Sequence, residues 1–394
     1  APKRDDDVVI IGLARTAMTR AKKGSQRDTG TEAMLKPVLE AVAKQSGIDK
    51  ALVEDICIGN VLQSGAGSTN ARMAGFLAGY PETTCVQGIN RLCSSGLQAV
   101  ATIANAIASG EISMGIAGGV ESMSNGNMMD AVNPNLLSEE VFENELAQNC
   151  LMPMGITSEN VAAQFGVDRA TQDALAVSSH QKAALSLKNG WSKTEITPYE
   201  TFVKDKDGEM KKIMVDADDG CRPETTVEGL GKLKAAFQKG GSTTAGNSSQ
   251  VTDGAAAILL TRRDVAVKLG CKIYGRILSF AVAGVPPKVM GVGPAYAIPA
   301  ALDKAGLGIK DMDVFEINEA FASQACYCVA KLQVPKEKLN PRGGAIALGH
   351  PLGMTGARMI VTLFHELERT NKKRGLVSMC IGTGMGACGV FERE

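Results

Sequence analysis

Short continuous apolar runs alternate with amphipathic stripes at both ends of this chain, and that alternation limits what it can fold into. Val8, Val9, Ile10 and Ile11 form an unbroken apolar run, the pattern of a strand buried on both faces. Met34, Leu35, Val38, Leu39 and Val42 then recur at helical spacing, with Pro37 placed near the first turn or at a kink. Further runs predict a strand at 55–58, a helix at 68–77, a strand at 84–86, a long Ala-rich helix at 97–108 and a strand at 114–117. Strands separated by helices of this length imply an α/β fold, with helices covering a mostly parallel sheet.

The character changes between residues 122 and 250. Polar and Gly-rich stretches dominate there, and one amphipathic helix is predicted at 169–188. This region reads as an insertion over the active site, not as a separately folding domain. The α/β pattern resumes afterwards, with strands at 254–260, 273–283, 314–317, 376–379 and 387–391, and helices after Pro294, at 320–332 and at 355–368. Asp55-Ile56-Cys57-Ile58-Gly59-Asn60 parallels Asp313-Val314-Phe315-Glu316-Ile317-Asn318, and 114–119 holds the place in its half that 377–380 holds in the other. The expected organisation is an α/β half over 1–121, the insertion over 122–250, and a related α/β half over 251–394, the two halves packed together.

Composition narrows the function. Lys and Arg total 42, Asp and Glu total 42, and the net charge is +0, so no basic footprint for nucleic acid is expected. No apolar run looks long enough to span a bilayer. The chain opens on Ala1 and closes on Phe391-Glu392-Arg393-Glu394, which is not a Ser-Lys-Leu address. It is therefore expected to begin either after a removed targeting segment or at an artificial boundary. The 10 cysteines are scattered without a framework and read as reduced thiols.

Three stretches carry candidate chemistry. Asn90-Arg91-Leu92-Cys93-Ser94-Ser95-Gly96 places Cys93 between a strand and a long helix. Unpaired N–H groups at a helix start favour a thiolate, so Cys93 is expected to be a low-pKa nucleophile. The bland alternative is a small buried hydrophobe. A thiol nucleophile needs a base, and the chain offers 3 histidines. His180 and His365 fall in amphipathic helices, where a surface or packing role is expected. His350 stands in Gly349-His350-Pro351-Leu352-Gly353, a loop in which backbone can crowd a ligand. Cys380 ends a strand and precedes Gly382-Thr383-Gly384-Met385-Gly386. That glycine run is not a dinucleotide loop, because no helix follows it. A second thiol with an ordinary pKa of about 8.5 suits general acid and base work alike. Cys326 and Cys328 are two apart on a helix and face different sides, so no metal site is expected.

Taken together, Cys93 to Gly96, Thr244 to Asn247, Asn318 to Ala322, Gly343 to Gly356 and Cys380 to Gly386 resemble the thiolase family, in family order and over almost the whole chain. The resemblance implies the thiolase fold, built of two related βαβαβαββ-type halves with an inserted loop domain. It implies acyl transfer through Cys93, with His350 taking the proton, Cys380 as acid and base at the α-carbon, and Asn318 with His350 at one oxyanion. Backbone N–H groups near Cys93 and Gly382 are expected to meet the other. Coenzyme A is implied as a substrate, with no separate cofactor. Its expected contacts are Arg222, Thr225, Ser249, Phe237, Ala245, Met154 and Phe321. The basic run 204–212 is read as a solvated hairpin instead.

Two positions depart from the family pattern. Leu92 stands where a polar residue is usual beside the nucleophile. Leu151-Met152-Pro153-Met154-Gly155 has Pro153 where short-chain biosynthetic members typically carry His, which implies a more apolar acyl pocket. The resemblance is therefore to the degradative branch, a peroxisomal 3-ketoacyl-CoA thiolase acting in fatty acid β-oxidation as a homodimer. The weighed alternatives are synthesis of acetoacetyl-CoA, a mitochondrial or cytoplasmic location, a decarboxylating ketoacyl synthase, and a non-catalytic coenzyme-A-binding homologue. Cys150 is expected to be a buried apolar cysteine, with disulfide capping of Cys93 as the less favoured alternative.

Overall fold

A computed structural model describes residues 2–128 and 132–394. In chain order the first half supplies β1 (Val8–Arg15), α1 (Thr31–Ser46), β2 (Asp55–Gly59), α2 (Ser68–Leu77), β3 (Cys85–Ile89), α3 (Ser95–Ser109) and β4 (Met114–Glu121). The insertion contains α4 (Met154–Phe165), α5 (Arg169–Lys188) and a hairpin of β5 (Tyr199–Lys204) and β6 (Met210–Val215). Then follow β7 (Thr252–Arg262), β8 (Gly275–Gly284), α6 (Gly293–Ala305), β9 (Val314–Ile317), α7 (Ala322–Leu332), α8 (Thr355–Arg369), β10 (Arg374–Ile381) and β11 (Met385–Arg393).

The main sheet runs β9-β10-β11-β8-β1-β7-β4-β2-β3. Pairing is parallel between β2 and β3, β2 and β4, and β9 and β10, and antiparallel elsewhere. The two halves join where β1 meets β8 through Val9 and Ile10. One boundary differs from expectation. Strand β7 was expected to open the second half, yet its ladders run to β1 and β4 of the first. Its apolar pattern suits either half, and only the long-range pairing decides.

Strand alternation sorts side chains into three cores. Val9, Ile11, Ile56, Ile58 and Leu259 face α1 and α2. Ile10, Leu13, Ile258, Leu260, Val377 and Met379 face a central layer that holds Leu97, Val100 and Ile103 of α3 with Ile360, Val361 and Phe364 of α8. Phe315, Ile317, Leu376 and Val390 face α6. The order is therefore helix, sheet, helix, sheet, helix, the one strand ladder folding at the β1–β8 junction into two sheet layers, as two halves packed together require. Residues 92–109 have the length and hydropathy of a membrane span, contrary to expectation, but 56% of that window is buried inside the protein. It is the central helix α3, apolar because α8 and both sheets surround it.

The insertion is tied into this body by charge. Arg15, at the end of β1, donates to Glu195 Oε1 at 2.7 Å and Asp218 Oδ1 at 2.8 Å, all three side chains being buried. A buried guanidinium is tolerable only with such satisfied partners.

Candidate active site

Cys93 sits in a tight turn, not in the helix. Leu92 adopts φ 47°, a left-handed conformation that costs a non-Gly residue about 1–3 kcal/mol. Its N–H donates to Asn90 Oδ1 at 2.9 Å, and its carbonyl accepts from Ser95 Oγ at 2.6 Å. Ser95 Oγ also accepts from Arg91 N–H at 2.9 Å, so the turn closes on both sides of the cysteine. Helix α3 starts two residues later, with Ser94 as its N-cap position. The expectation of a low-pKa thiolate is therefore corrected. Burial pushes the Cys93 thiol up to about 11, while hydrogen bonds from the N–H groups of Gly382 and Cys93 pull the other way and the Glu121 carboxylate adds to the rise.

Gly382 opens the turn between β10 and β11, which pair on either side at Ile381 and Met385. Thr383 (φ 68°) and Gly384 (φ 94°) take left-handed conformations there, so the glycine run is a hairpin turn. A Cβ on Gly382 would lie 3.2 Å from Leu92 Cδ1 and 3.6 Å from Met154 Sδ. Cys380, one residue before the end of β10, is fully buried in a cluster with Met290 and Ala320, with Met154 and Phe321 packed against it. Burial first, then the neighbouring Cys93, raises its thiol far above the ordinary range.

His350 is buried, and its backbone N–H donates to Gln250 O at 2.9 Å. Its Nε2 lies 3.3 Å from Asn318 Nδ2 and its Nδ1 2.6 Å from Thr355 Oγ1. Burial and the positive charge of Arg358 push its pKa down to about 3, so the ring is neutral. Asn318 is held by its N–H on Ser378 O at 2.9 Å, and its Oδ1 is buried without a protein partner. The site at rest is thus a neutral thiol, a neutral imidazole and a carboxamide, with no thiolate–imidazolium pair.

The halves meet here without room to spare. A Cβ on Gly96 would lie 2.6 Å from Gly353 O and 2.9 Å from Ala357 N. This close approach brings the His350 loop against the start of α3.

The expected coenzyme A contacts fall into two groups. Ser249 donates its N–H to Ala320 O at 2.9 Å, Ser248 bridges Phe321, and Phe237 meets Phe321 edge-on at 6.1 Å, with Met154 beside them. Ala245 is exposed at the rim. Arg222 and Thr225 lie on a separate exposed turn, in which Thr225 Oγ1 donates to Arg222 O at 2.8 Å. That turn is anchored by His180, whose Nδ1 accepts Arg222 N–H at 3.1 Å.

Several supporting residues were not anticipated. Glu159 accepts from Ser242 N–H and Thr243 N–H at 2.9 and 2.8 Å, and Asp173 accepts from Asn247 Nδ2 at 2.9 Å, so two carboxylates shape the 242–249 loop. Glu319 accepts from Ser179 Oγ at 2.6 Å and Asn340 Nδ2 at 2.8 Å. Glu121 gathers Val61, Leu62 and Gly353 N–H groups. Charged residues inside otherwise apolar or small-residue stretches were the available signal. Cys150 is only partly buried, with Sγ 3.4 Å from Leu146 O and 4.0 Å from Thr383 O. All ten cysteines are free. Cys326 reaches Thr171 O and Cys328 Gly291 O on different sides of α7.

Comparison with known proteins adds independent weight. The model of the thiolase N-terminal domain matches residues 8–264, and that of the thiolase C-terminal domain matches residues 271–393. The chain is 57% identical over 387 residues to the peroxisomal 3-ketoacyl-CoA thiolase B of Rattus norvegicus, covering 98% of this chain and 91% of that one. It is 56% identical over 387 residues to the peroxisomal 3-ketoacyl-CoA thiolase of Homo sapiens, with the same coverage of 98% and 91%. Among solved structures it is similar to the dimeric peroxisomal thiolase of Saccharomyces cerevisiae, at a TM-score of 0.91 and 47% identity, covering 100% of this chain and 99% of that one. Human mitochondrial 3-ketoacyl-CoA thiolase in complex with CoA matches at a TM-score of 0.88 and 34% identity, covering 99% of this chain and 98% of that one.

Proposed function

The chain belongs to the thiolase family, and from that premise we propose that it is a peroxisomal 3-ketoacyl-CoA thiolase of fatty acid β-oxidation. It cleaves a 3-ketoacyl-CoA with coenzyme A, giving acetyl-CoA and a shortened acyl-CoA. The observation that carries the chemistry is His350 Nε2 held 3.3 Å from Asn318 Nδ2, with the Gly382 turn against Leu92 beside Cys93 and Cys380 buried next to Met154 and Phe321. Cys93 attacks the 3-keto carbon and passes its proton to His350. Because the resting thiol and imidazole are both neutral, proton transfer accompanies attack and does not precede it. The N–H groups of Cys93 and Gly382 receive the developing oxyanion. Carbon–carbon cleavage leaves an acetyl-CoA enolate, whose oxygen lies toward His350 and Asn318, and Cys380 protonates its carbon. The His350 imidazolium returns its proton to the Cys380 thiolate, and acetyl-CoA leaves. Coenzyme A then enters, His350 takes its thiol proton, and its sulfur displaces the acyl group. Cys93 leaves as a thiolate that recovers that proton from His350.

The pantetheine arm runs between Ser249, Phe237, Phe321 and Met154. Ala245 flanks it, and the Arg222–Thr225 turn takes the nucleotide end. Where the arm reaches Cys380, Met154 and Phe321 continue as an apolar wall, which favours cleavage of longer acyl chains over synthesis of acetoacetyl-CoA. The chain acts as a homodimer. Strand β3 is an open sheet edge, and α2 beside it exposes Met73, Phe76 and Leu77, an arrangement that pairing with a second copy covers. The deciding experiment is steady-state cleavage of 3-ketoacyl-CoA substrates of graded length with coenzyme A. Turnover of long chains is expected; no turnover of any length overturns the reading.

A further inference from the structure

We propose that Thr355 is a positioning residue that fixes the tautomer of His350, leaving the Nε2 lone pair as the only base the imidazole presents to the reacting thiols. The inference rests on the thiolase reading for its consequence, but on hydrogen-bond geometry for its substance. Thr355 opens α8 and is fully buried. Its Oγ1 lies 2.8 Å from Pro351 O and 2.6 Å from His350 Nδ1. A threonine hydroxyl has one proton to give. The Pro351 carbonyl can only accept, so that proton lies on Pro351 O, and Oγ1 faces Nδ1 as an acceptor. Nδ1 must then carry the ring hydrogen. At the other end of the ring, Asn318 Nδ2 lies 3.3 Å from Nε2, a donor facing a lone pair. Both ends of the imidazole are satisfied by the same tautomer, Nδ1–H. The opposite tautomer needs the Thr355 proton to leave Pro351 O and the Asn318 amide to turn over.

This tautomer matters because one ring nitrogen is committed to structure and the other to chemistry. When Nε2 takes the proton of Cys93 or of coenzyme A, Nδ1–H stays on Thr355 Oγ1 and the Thr355 proton stays on Pro351 O. No second proton moves. His180 supplies an internal contrast. Its Nδ1 accepts the Arg222 N–H at 3.1 Å, so its ring hydrogen must sit on Nε2. Burial holds His180 near pKa 4 and His350 near 3, so both rings are neutral and both tautomers can be read at ordinary pH.

The test is two-bond proton–nitrogen correlation NMR on the full chain labelled with 15N-histidine, the His350 signals being assigned by their loss in His350→Asn. Wild type is expected to show Nδ1–H at His350 and Nε2–H at His180. Thr355→Val keeps the shape and removes the hydroxyl. It is expected to move His350 to the Nε2–H or a mixed pattern and to lower thiolytic turnover by about 10²-fold or more, the scale of general-base catalysis. Thr355→Ser is expected to restore both. An Nε2–H pattern at His350 in wild type overturns the proposal. So does a Thr355→Val variant that keeps Nδ1–H, whatever its activity. Should Thr355→Val fail to fold, the wild-type tautomer alone decides. If the tautomers are as expected but the wild type cleaves no 3-ketoacyl-CoA, the thiolase reading fails and the positioning by Thr355 stands.

Discussion

The carboxylate of Glu121 accepts the backbone N–H of Gly353 at 2.9 Å, joining the end of β4 in one half to the His350 loop of the other. The same carboxylate accepts Val61 and Leu62 N–H groups, each at 3.1 Å. It therefore sets the distance between the loop after β2 and the loop before α8.

Burial pushes the Glu121 pKa up from 4.5 to about 7, against the pull of those three N–H donors. Between these values the unfolded chain has lost its proton while the folded chain keeps it. Folding stability from this group is then fully present below about pH 4.5 and is lost as pH rises through about 7. Glu121→Gln cannot titrate. The wild-type melting temperature, taken relative to that of Glu121→Gln, is expected to fall between pH 5 and 7.5, values of about the span of the shift. A difference independent of pH would show that Glu121 is ionised throughout. Turnover of Glu121→Gln is expected to drop as well, because one amide oxygen cannot hold three donors.

Cys93→Ser is expected to abolish covalent acylation while leaving coenzyme A binding intact. Cys380→Ser is expected to accept an acyl group on Cys93 yet lose carbon–carbon cleavage by about 10²-fold or more. Intact-protein mass spectrometry after mixing with acyl-CoA reads the first, and release of acetyl-CoA reads the second. Acyl label on Cys380 in the Cys93→Ser variant would reverse the assignment. Equal loss of both half-reactions in Cys380→Ser would reduce that residue to a packing role.

Much of this was legible in the residues, for identifiable reasons. Helices 68–77 and 169–188 appear at the bounds that periodicity gave, the latter because Asp168 caps it by accepting Thr171 N–H at 2.7 Å. The matched hexapeptides at 55–60 and 313–318 became β2 and β9, both in parallel ladders. The partner of β7 was not legible, because an all-apolar strand carries no mark of which sheet it joins. Nor was the turn at Leu92, since a left-handed position is signalled by Gly or Asn and this one is Leu. The protonation of Cys93 failed for a third reason. Helix position is local, but the surroundings that shift the thiol include Gly382 and Glu121, which lie far from Cys93 in sequence.

The acyl end of the site is expected to tolerate length. Met154 and Phe321 pack there against buried Cys380, and each buried methylene contributes about 0.8 kcal/mol. Specificity for 3-ketoacyl-CoA should hold or rise beyond four carbons, up to the length of the wall. Met154→Asp is expected to depress kcat/KM for long substrates more than for acetoacetyl-CoA. Turnover confined to acetoacetyl-CoA would contradict the apolar-pocket argument.

The insertion is expected to unfold with the body and not before it. Arg15 belongs to β1, whereas Glu195 and Asp218 belong to the insertion, and their contacts of 2.7 and 2.8 Å are buried. Arg15→Met keeps the bulk of the side chain and leaves both carboxylates without their shared cation. Arg342 still lies 3.6 Å from Glu195 Oε2, so Asp218 bears most of the loss. Breaking one partner of a buried ion pair costs about 3–5 kcal/mol. At about 2–4 °C per kcal/mol for a large domain, the melting temperature should fall by roughly 10 °C. Differential scanning calorimetry is expected to show one transition in wild type and one, lower, in Arg15→Met. An early second transition appearing in the variant, with the active-site melt unmoved, would make the insertion an independent folding unit.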